Sequence, residues 1–394
     1  MTVLSNNMTC RHKPPTRIGI RALLFLIAAS LLLAVTPGCT NGTPTETGPY
    51  AGYTRHTRDI VGLFNTVISI IACCETTEDI ERLVDSAATS FQELHTLFDI
   101  YEHHEGVTSL YDVNAAAGGT PLPVSVEILD LLSFCIDVSE RMGGKVDISL
   151  GAMLALWSDA RESGRNDPDR AALPDPAVLR EAARHSGLDK VEIDHDAGTV
   201  RILDSAMRLD VGAVAKGYAT RIVRDELAAA GWNSFLISNG SSSIVLHGRP
   251  FQDGKDTWTV GIQNPSALLP GPGEEAEGQP DYLAVAHLND RAVGNSGDYQ
   301  NYYIVEGVPY NHLIDPDTLM PADRFRGVSV FTDDCAMADL LSSTLFLLPY
   351  EEGRSLVDSL PGTDAIWIYP EGRAVSTPGI APLLTEVQFV EGHP

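Results

Sequence analysis

Asp339 and Ser343 lie four residues apart in CAMADLLSSTLFLL, a mostly apolar run that reads as a helix, so a carboxylate and a hydroxyl share one helical face. On such a helix the two must bond to each other or bind something, because an unpaired buried charge is costly. A hard, oxygen-seeking cation such as Mg2+ would satisfy both, and an aspartate that caps or bonds within its own helix would account for the carboxylate equally well. The pair closes a stretch, residues 294 to 344, that also holds a histidine, several carboxylates and a run of hydroxyls, and chemistry is expected there. Its histidine, His312, has apolar neighbours on either side, which predicts a partly buried strand ending at the Asp315-Pro316 turn. A neutral imidazole near pH 7 can take a proton from an attacking hydroxyl, and a hydrogen-bonded core histidine fits the same surroundings. His103 and His104 read as loop residues.

Three glycine-containing segments stand upstream. The run RLDVGAVAKGY places Asp210 at a strand end, a glycine turn after it and Lys216 in the first turn of a helix. Free amides at a helix start, the helix dipole and an ammonium favour an anion such as phosphate, although the spacing is not that of a P-loop; an ordinary helix start with a solvated lysine is the alternative. The run GGKVDIS, residues 143 to 149, follows a helix, so its glycines can cap that helix and Asp147 the next one. Between two apolar strands, SNGSSS reads as a tight turn in which Asn239-Gly240 favours positive φ.

These residues need a scaffold, and its elements are legible as strand runs separated by helices. LFNTVISIIACC, residues 63 to 74, reads as a strand. A helix follows from about residue 79 to 97, with Ile80, Leu83, Val84, Ala87, Phe91 and Leu94 at core spacing. Further helices are predicted over 125 to 142 and 213 to 230, and the strands FLIS, SSIVLHG, TWTVGI, YLAVAHL and YYIVE lie in the middle of the chain. This alternation implies a mixed α+β fold. No second linker divides residues 55 to 394, so they form one large domain or two closely packed lobes, and the Pro/Gly/Glu-rich run from 266 to 281 is expected to be a disordered surface insertion.

The N-terminus reads as an address. Residues 1 to 38 carry Arg11, Lys13, Arg17 and Arg21, then the apolar run ALLFLIAASLLLAV, as a secretory signal peptide does. Gly38-Cys39 resembles a bacterial lipobox, with Thr36 and Pro37 departing from the usual residues, so Cys39 is the expected lipidation site and residues 39 to 54 a flexible tether; simple secretion or an uncleaved anchor are the alternatives. The chain is thus expected to be exported and lipid-anchored to a bacterial membrane, facing the periplasm or the exterior. Its net charge is −26, and loss of the leader leaves 23 basic against 53 acidic residues. Such a surface repels nucleic acid, and an anionic ligand must be held by local basic groups, backbone amides or a metal. Cys73, Cys74, Cys135 and Cys335 show no metal-type spacing and are expected to be buried free thiols.

Five segments in order, GGKVDIS, LDVGAVAKGYAT, ISNGSSSIVLHG, GDYQNYY with NHLIDPDT, and MADLLSST, resemble the motifs of the ApbE family, the FAD:protein FMN transferases, over about residues 60 to 370. The resemblance implies one large T-fold-like α+β domain of largely antiparallel sheets with packed helices. It implies a reaction in which the FMN moiety of FAD passes to a threonine or serine hydroxyl of an acceptor protein, with release of AMP. By the same likeness Asp339, Ser343 and the backbone carbonyl of Ala213 would hold Mg2+. Asp210 and Lys216 would contact FAD, as would Lys145, Val146 and Asp147 beside the flavin or adenine. Phe64, Thr66 and Tyr101 match the N-terminal flavin contacts, and His312 falls at the catalytic histidine. The chain departs from the family pattern at Ser343 for threonine, at Leu319 and Ser241 for glycines, and at Phe64 for methionine; Leu319 puts the local loop geometry in question. FAD pyrophosphatase activity, a non-catalytic FAD-binding lipoprotein and a solute-binding transporter component are the competing readings. An exported, anchored flavin transferase implies a membrane-associated electron-transfer subunit as acceptor.

Overall fold

The computed structural model describes residues 52–251, 255–271 and 276–388. The signal peptide, Cys39 and most of the tether lie outside these residues, as do 272–275 of the expected insertion. Eight strands form one antiparallel sheet in which the order across the sheet is the order along the chain: β1 (Thr54–Leu63), β2 (Thr66–Cys74), β3 (Phe235–Asn239), β4 (Ser243–His247), β5 (Ala292–Gly297), β6 (Gly327–Thr332), β7 (Asp364–Ile368) and β8 (Ala374–Ser376). Helices and smaller sheets are excursions between neighbouring strands. The α+β expectation, with largely antiparallel sheets and packed helices, is what the fold shows.

β2 explains why both sheet faces are covered. Its sequence TVISIIACC is apolar without alternation, as a strand buried on two sides must be. Ile68, Ile70, Ala72 and Cys74 face one core and Ile71 and Cys73 the other, so the adjacent cysteines point apart. All four described cysteines are buried and unpaired. On the first face lie helices α1 (Thr77–Leu97), α2 (Val126–Arg141), α4 (Ala215–Ala229) and α5 (Cys335–Leu347). On the second lies a small sheet of Trp258–Gln263, Tyr282–Leu288 and Leu384–Thr385. α1 starts at a capping box in which Thr76 Oγ1 accepts from the Asp79 amide and Asp79 Oδ2 from the Thr76 amide, both at 3.1 Å.

Several elements differ from the sequence reading. The strand expected over 63 to 74 is broken at Phe64 and Asn65, whose φ values of 50° and 53° make the tight turn between β1 and β2. Helix α3 (Gly151–Asn166) was not anticipated, because its outer face is polar while Met153 and Trp157 are buried. His312 lies in a bend, and the strand Ile314–Asp315 begins after it. The described part of the expected insertion is ordered at its start: Asn264 caps the short helix Pro265–Leu268 and donates from Nδ2 to the Pro280 carbonyl at 2.9 Å.

Two glycines set how closely α5 packs. A Cβ at Gly294 in β5 would stand 2.0 Å from the Ala338 carbonyl oxygen, and one at Gly217 in α4 would stand 2.4 Å from both Asp339 Cβ and the Cys335 carbonyl oxygen. Backbone meets backbone at the first contact, so no rotamer change relieves it. Gly294→Ala is expected to destabilise the fold by about 3 kcal/mol or more. Gly353→Ala, whose Cβ would meet only side-chain atoms at 3.3 Å or beyond, should change stability by less than about 1 kcal/mol. Urea denaturation of the two variants separates these outcomes.

Candidate active site

α5 begins at Asp334, whose carboxylate caps the Ala336 and Met337 amides. One turn on, Asp339 is 5% exposed and Ser343 6%. They share a face but bond elsewhere. Asp339 Oδ2 accepts the Gly217 amide at 2.8 Å, so the carboxylate closes the N-terminus of α4, while Ser343 Oγ meets Ser296 Oγ at 3.2 Å. Burial raises the Asp339 pKa against the opposing effects of the Lys216 charge, the Gly217 amide and the Ser243 hydroxyl. Ser243 Oγ stands near this carboxylate, buried and without a hydrogen bond of good geometry.

The turn before α4 carries Asp210, Ala213 and Lys216. Asp210 Oδ1 accepts the Gly212 amide at 2.8 Å, and burial raises its pKa while Gly212, Arg161 and Lys216 lower it. Lys216 sits in the first turn of α4, as expected, and its charge acts on Asp210, Asp339 and His312 together. The Gly217 amide, one of the groups that made this helix start attractive for an anion, is occupied by Asp339.

His312 is half-buried, with Nδ1 enclosed and without a hydrogen-bond partner among the described residues. Burial pushes its pKa down to about 3, the charges of Arg161, Lys216 and Arg165 reinforce the shift, and the backbone of Gln300 opposes it. The imidazole is therefore neutral at pH 7, as a proton acceptor must be. Arg161 and Arg165 were missed in the sequence because α3 was missed. The available signal was the apolar spacing of Leu150, Met153, Leu154 and Trp157, which predicts a helix whose next turns carry Arg161 and Arg165.

The remaining expected contacts divide. Lys145 Nζ is engaged by Asp315 Oδ1 at 3.0 Å and Asp317 Oδ2 at 2.5 Å, so it holds the Asp-Pro turn that follows His312. Val146 packs against the main core and its carbonyl accepts from Ser139 Oγ at 2.6 Å. Asp147 does not cap α3: its Oδ1 accepts the Ser149 amide at 2.7 Å, and residue 150 stands at the cap. Phe64 packs on Phe91 and His95 with ring centroids 6.3 and 5.3 Å apart, and Thr66 Oγ1 would be 2.3 Å from a Cβ at Gly240, so both residues brace hairpins. Tyr101 is 64% exposed, close enough to Asp210 and Arg161 to interact with both charges. His103 and His104 bond to Asp112 and Asp99, each at 2.8 Å.

Comparison with known proteins places this geometry among related ones. The model of the ApbE family matches residues 64–367. The FAD:protein FMN transferase of Treponema pallidum is 31% identical over 313 residues, which cover 75% of this chain and 82% of that protein. That of Klebsiella pneumoniae is 26% identical over 283 residues, covering 72% and 81%. Among solved structures, the ApbE protein of Thermotoga maritima superposes with a TM-score of 0.69 at 22% identity, over 85% of this chain and all of that one. The flavin transferase ApbE of Vibrio cholerae gives 0.68 at 20% identity, over 84% and 99%. At such identities the superpositions establish the fold.

A neutral buried histidine makes stability depend on pH. The unfolded imidazole titrates near 6.5 and the folded one near 3, so between these values the unfolded chain binds the extra proton. The stability present above about pH 6.5 is lost as pH falls towards 3. His312→Gln lacks this contribution, so the stability difference between wild type and variant should shift in the variant's favour from pH 7 to pH 5, as read by urea midpoints at the two pH values.

Proposed function

We propose, from the premise that this chain belongs to the ApbE family, that the enzyme transfers FMN from FAD to a threonine or serine hydroxyl of an acceptor protein and releases AMP. The observation that carries the reading is His312 Nδ1, an enclosed and unpartnered nitrogen on a neutral ring beside Lys216 and Arg161. A base held neutral by burial, with cations reinforcing it, suits a reaction in which a hydroxyl must lose its proton next to a polyanion. In the proposed step the acceptor hydroxyl gives its proton to His312 as its oxygen bonds to the FMN phosphorus. The bond from that phosphorus to the bridging oxygen breaks, and the electron pair leaves on the AMP phosphate. Lys216 lies where it can offset phosphate charge.

A divalent cation fits the residues present. Asp339 is a buried carboxylate with no Lys, Arg or His nitrogen within 4.0 Å among the described residues, and such a charge calls for a cation. No cluster of three acidic, histidine or cysteine residues stands among the described residues, so the ligands would be one carboxylate with neutral oxygens. Asp339, Ser343 Oγ and the Ala213 carbonyl would hold Mg2+, leaving other positions to phosphate oxygens. When bound, the ion supplies neutralisation of charge on the pyrophosphate.

The same reading places the domain outside the cytoplasm, tethered through a lipid on Cys39, with a membrane-associated electron-transfer subunit as its acceptor. No helix among the described residues is long and apolar enough to cross a membrane. If the lipid on Cys39 is the anchor, Cys39→Ser should move the protein from the membrane fraction to the soluble fraction.

Incubation of the mature protein with FAD, Mg2+ and a domain bearing an acceptor threonine should add the mass of an FMN phosphoester and release equal AMP. His312→Gln is expected to lower the rate by about 100- to 10,000-fold, and Asp339→Ala to abolish it. Absence of both adduct and AMP would sink the enzyme reading, and AMP with free FMN alone would make the protein a pyrophosphatase.

A further inference from the structure

In a chain with 53 acidic and 27 basic residues, a sheltered cation without an acid beside it is conspicuous. Among the described residues, Arg161 and Lys216 are the arginine and lysine side chains drawn in from solvent with no carboxylate within 4.0 Å; Lys145, Arg221, Arg291 and Arg326, by contrast, pair with Asp315, Asp334, Asp364 and Asp298. Lys216 belongs to the motif already described, whereas Arg161 belongs to none.

Its placement is rigid. Helix α3 is held to the segments on both sides of His312: Trp157 Nε1 donates to the Leu319 carbonyl at 3.0 Å, and Arg165 Nε donates to the Tyr302 carbonyl at 2.9 Å. Gly164 lies so close to Tyr303 that a Cβ would stand 2.7 Å from its ring. The guanidinium donates to Ser158 Oγ at 3.2 Å, which leaves most of its N–H groups open, and its charge acts on Tyr101, Asp210 and His312. Arg165, one turn on, is exposed and its Nε is engaged, so Arg161 is the more sheltered and less engaged of the two. Even with Asp210 and Asp339 ionised, Arg161, Arg165 and Lys216 leave the neighbourhood positive. Two sheltered cations acting on one imidazole match a phosphate better than a single carboxylate.

We infer that Arg161 binds the non-bridging oxygens of the phosphate that is attacked, the one that remains with FMN. This rests on the reading proposed above. In an in-line displacement the base stands on the side of the incoming hydroxyl, with the leaving group opposite. A guanidinium beside that base therefore reaches the equatorial oxygens of the same phosphorus rather than the departing AMP. There it stabilises charge that grows as the bridging bond breaks.

The test is calorimetric titration of the mature protein with FAD, FMN, riboflavin, AMP and orthophosphate, for wild type, Arg161→Gln and Arg161→Lys, with urea midpoints to verify folding. Arg161→Gln should weaken FAD, FMN and orthophosphate by about 10- to 100-fold, leave riboflavin and AMP unchanged, and lower kcat by about 100-fold or more; Arg161→Lys should recover part of each. Loss of AMP affinity with FMN unaffected would assign the arginine to the leaving group and overturn the inference. So would a folded Arg161→Gln variant with wild-type affinities and kcat. If wild type transfers no flavin, the parent reading has failed, while orthophosphate still reports whether Arg161 holds a phosphate.

Discussion

The site depends on how closely α5 lies against its neighbours. Its backbone at Ala338 touches β5 at Gly294, and its side chain at Asp339 touches α4 at Gly217. These contacts determine where a buried carboxylate meets the first turn of α4, and Asp339 takes the Gly217 amide there. Because Lys216 precedes that glycine, the same approach brings the ammonium within electrostatic reach of the carboxylate. A methyl group at either glycine would push the helix outward and open the site as a whole.

Around that contact the chain departs from its general electrostatic character. The molecule is strongly acidic, yet the surroundings of His312 are cationic, and the two facts work together. Acidic exterior charge keeps polyanions from adhering elsewhere. Burial holds the imidazole neutral, and the charges of Arg161, Lys216 and Arg165 act in the same direction. The cations make the neutral form secure where a phosphate is to be attacked.

The departures from the family's glycines show how the fold tolerates substitution. Leu319 and Ser241 both adopt left-handed conformations, with φ of 58° and 64°, which glycine takes freely and a side chain takes at about 1–2 kcal/mol. The backbone at both positions is thus one that glycine favours, and the surroundings hold it. The Leu319 amide donates to the Asp315 carbonyl at 2.8 Å, its carbonyl accepts from Trp157, and its side chain packs against the small core that holds Trp157, Tyr303 and Ile314. Ser241 is tied through its carbonyl to Asn295 Nδ2 at 2.8 Å.

Local patterns made much of this legible. The apolar run of β2, the helical spacing of Ile80 to Leu94 and the i, i+4 relation of Asp339 and Ser343 follow from the periods of strand and helix, so the sequence alone determined the α+β class and the shared helical face. It could not determine what that face would meet. Asp339 finds an amide 122 positions away, and Lys145 finds carboxylates 170 and 172 positions away, because long-range packing rather than local periodicity decides which groups become neighbours. Arg161 is the sharpest case: as a letter in a polar run it is an ordinary surface arginine. Only the clamp of α3 on both flanks of His312 turns it into a sheltered, unneutralised charge beside a neutral base.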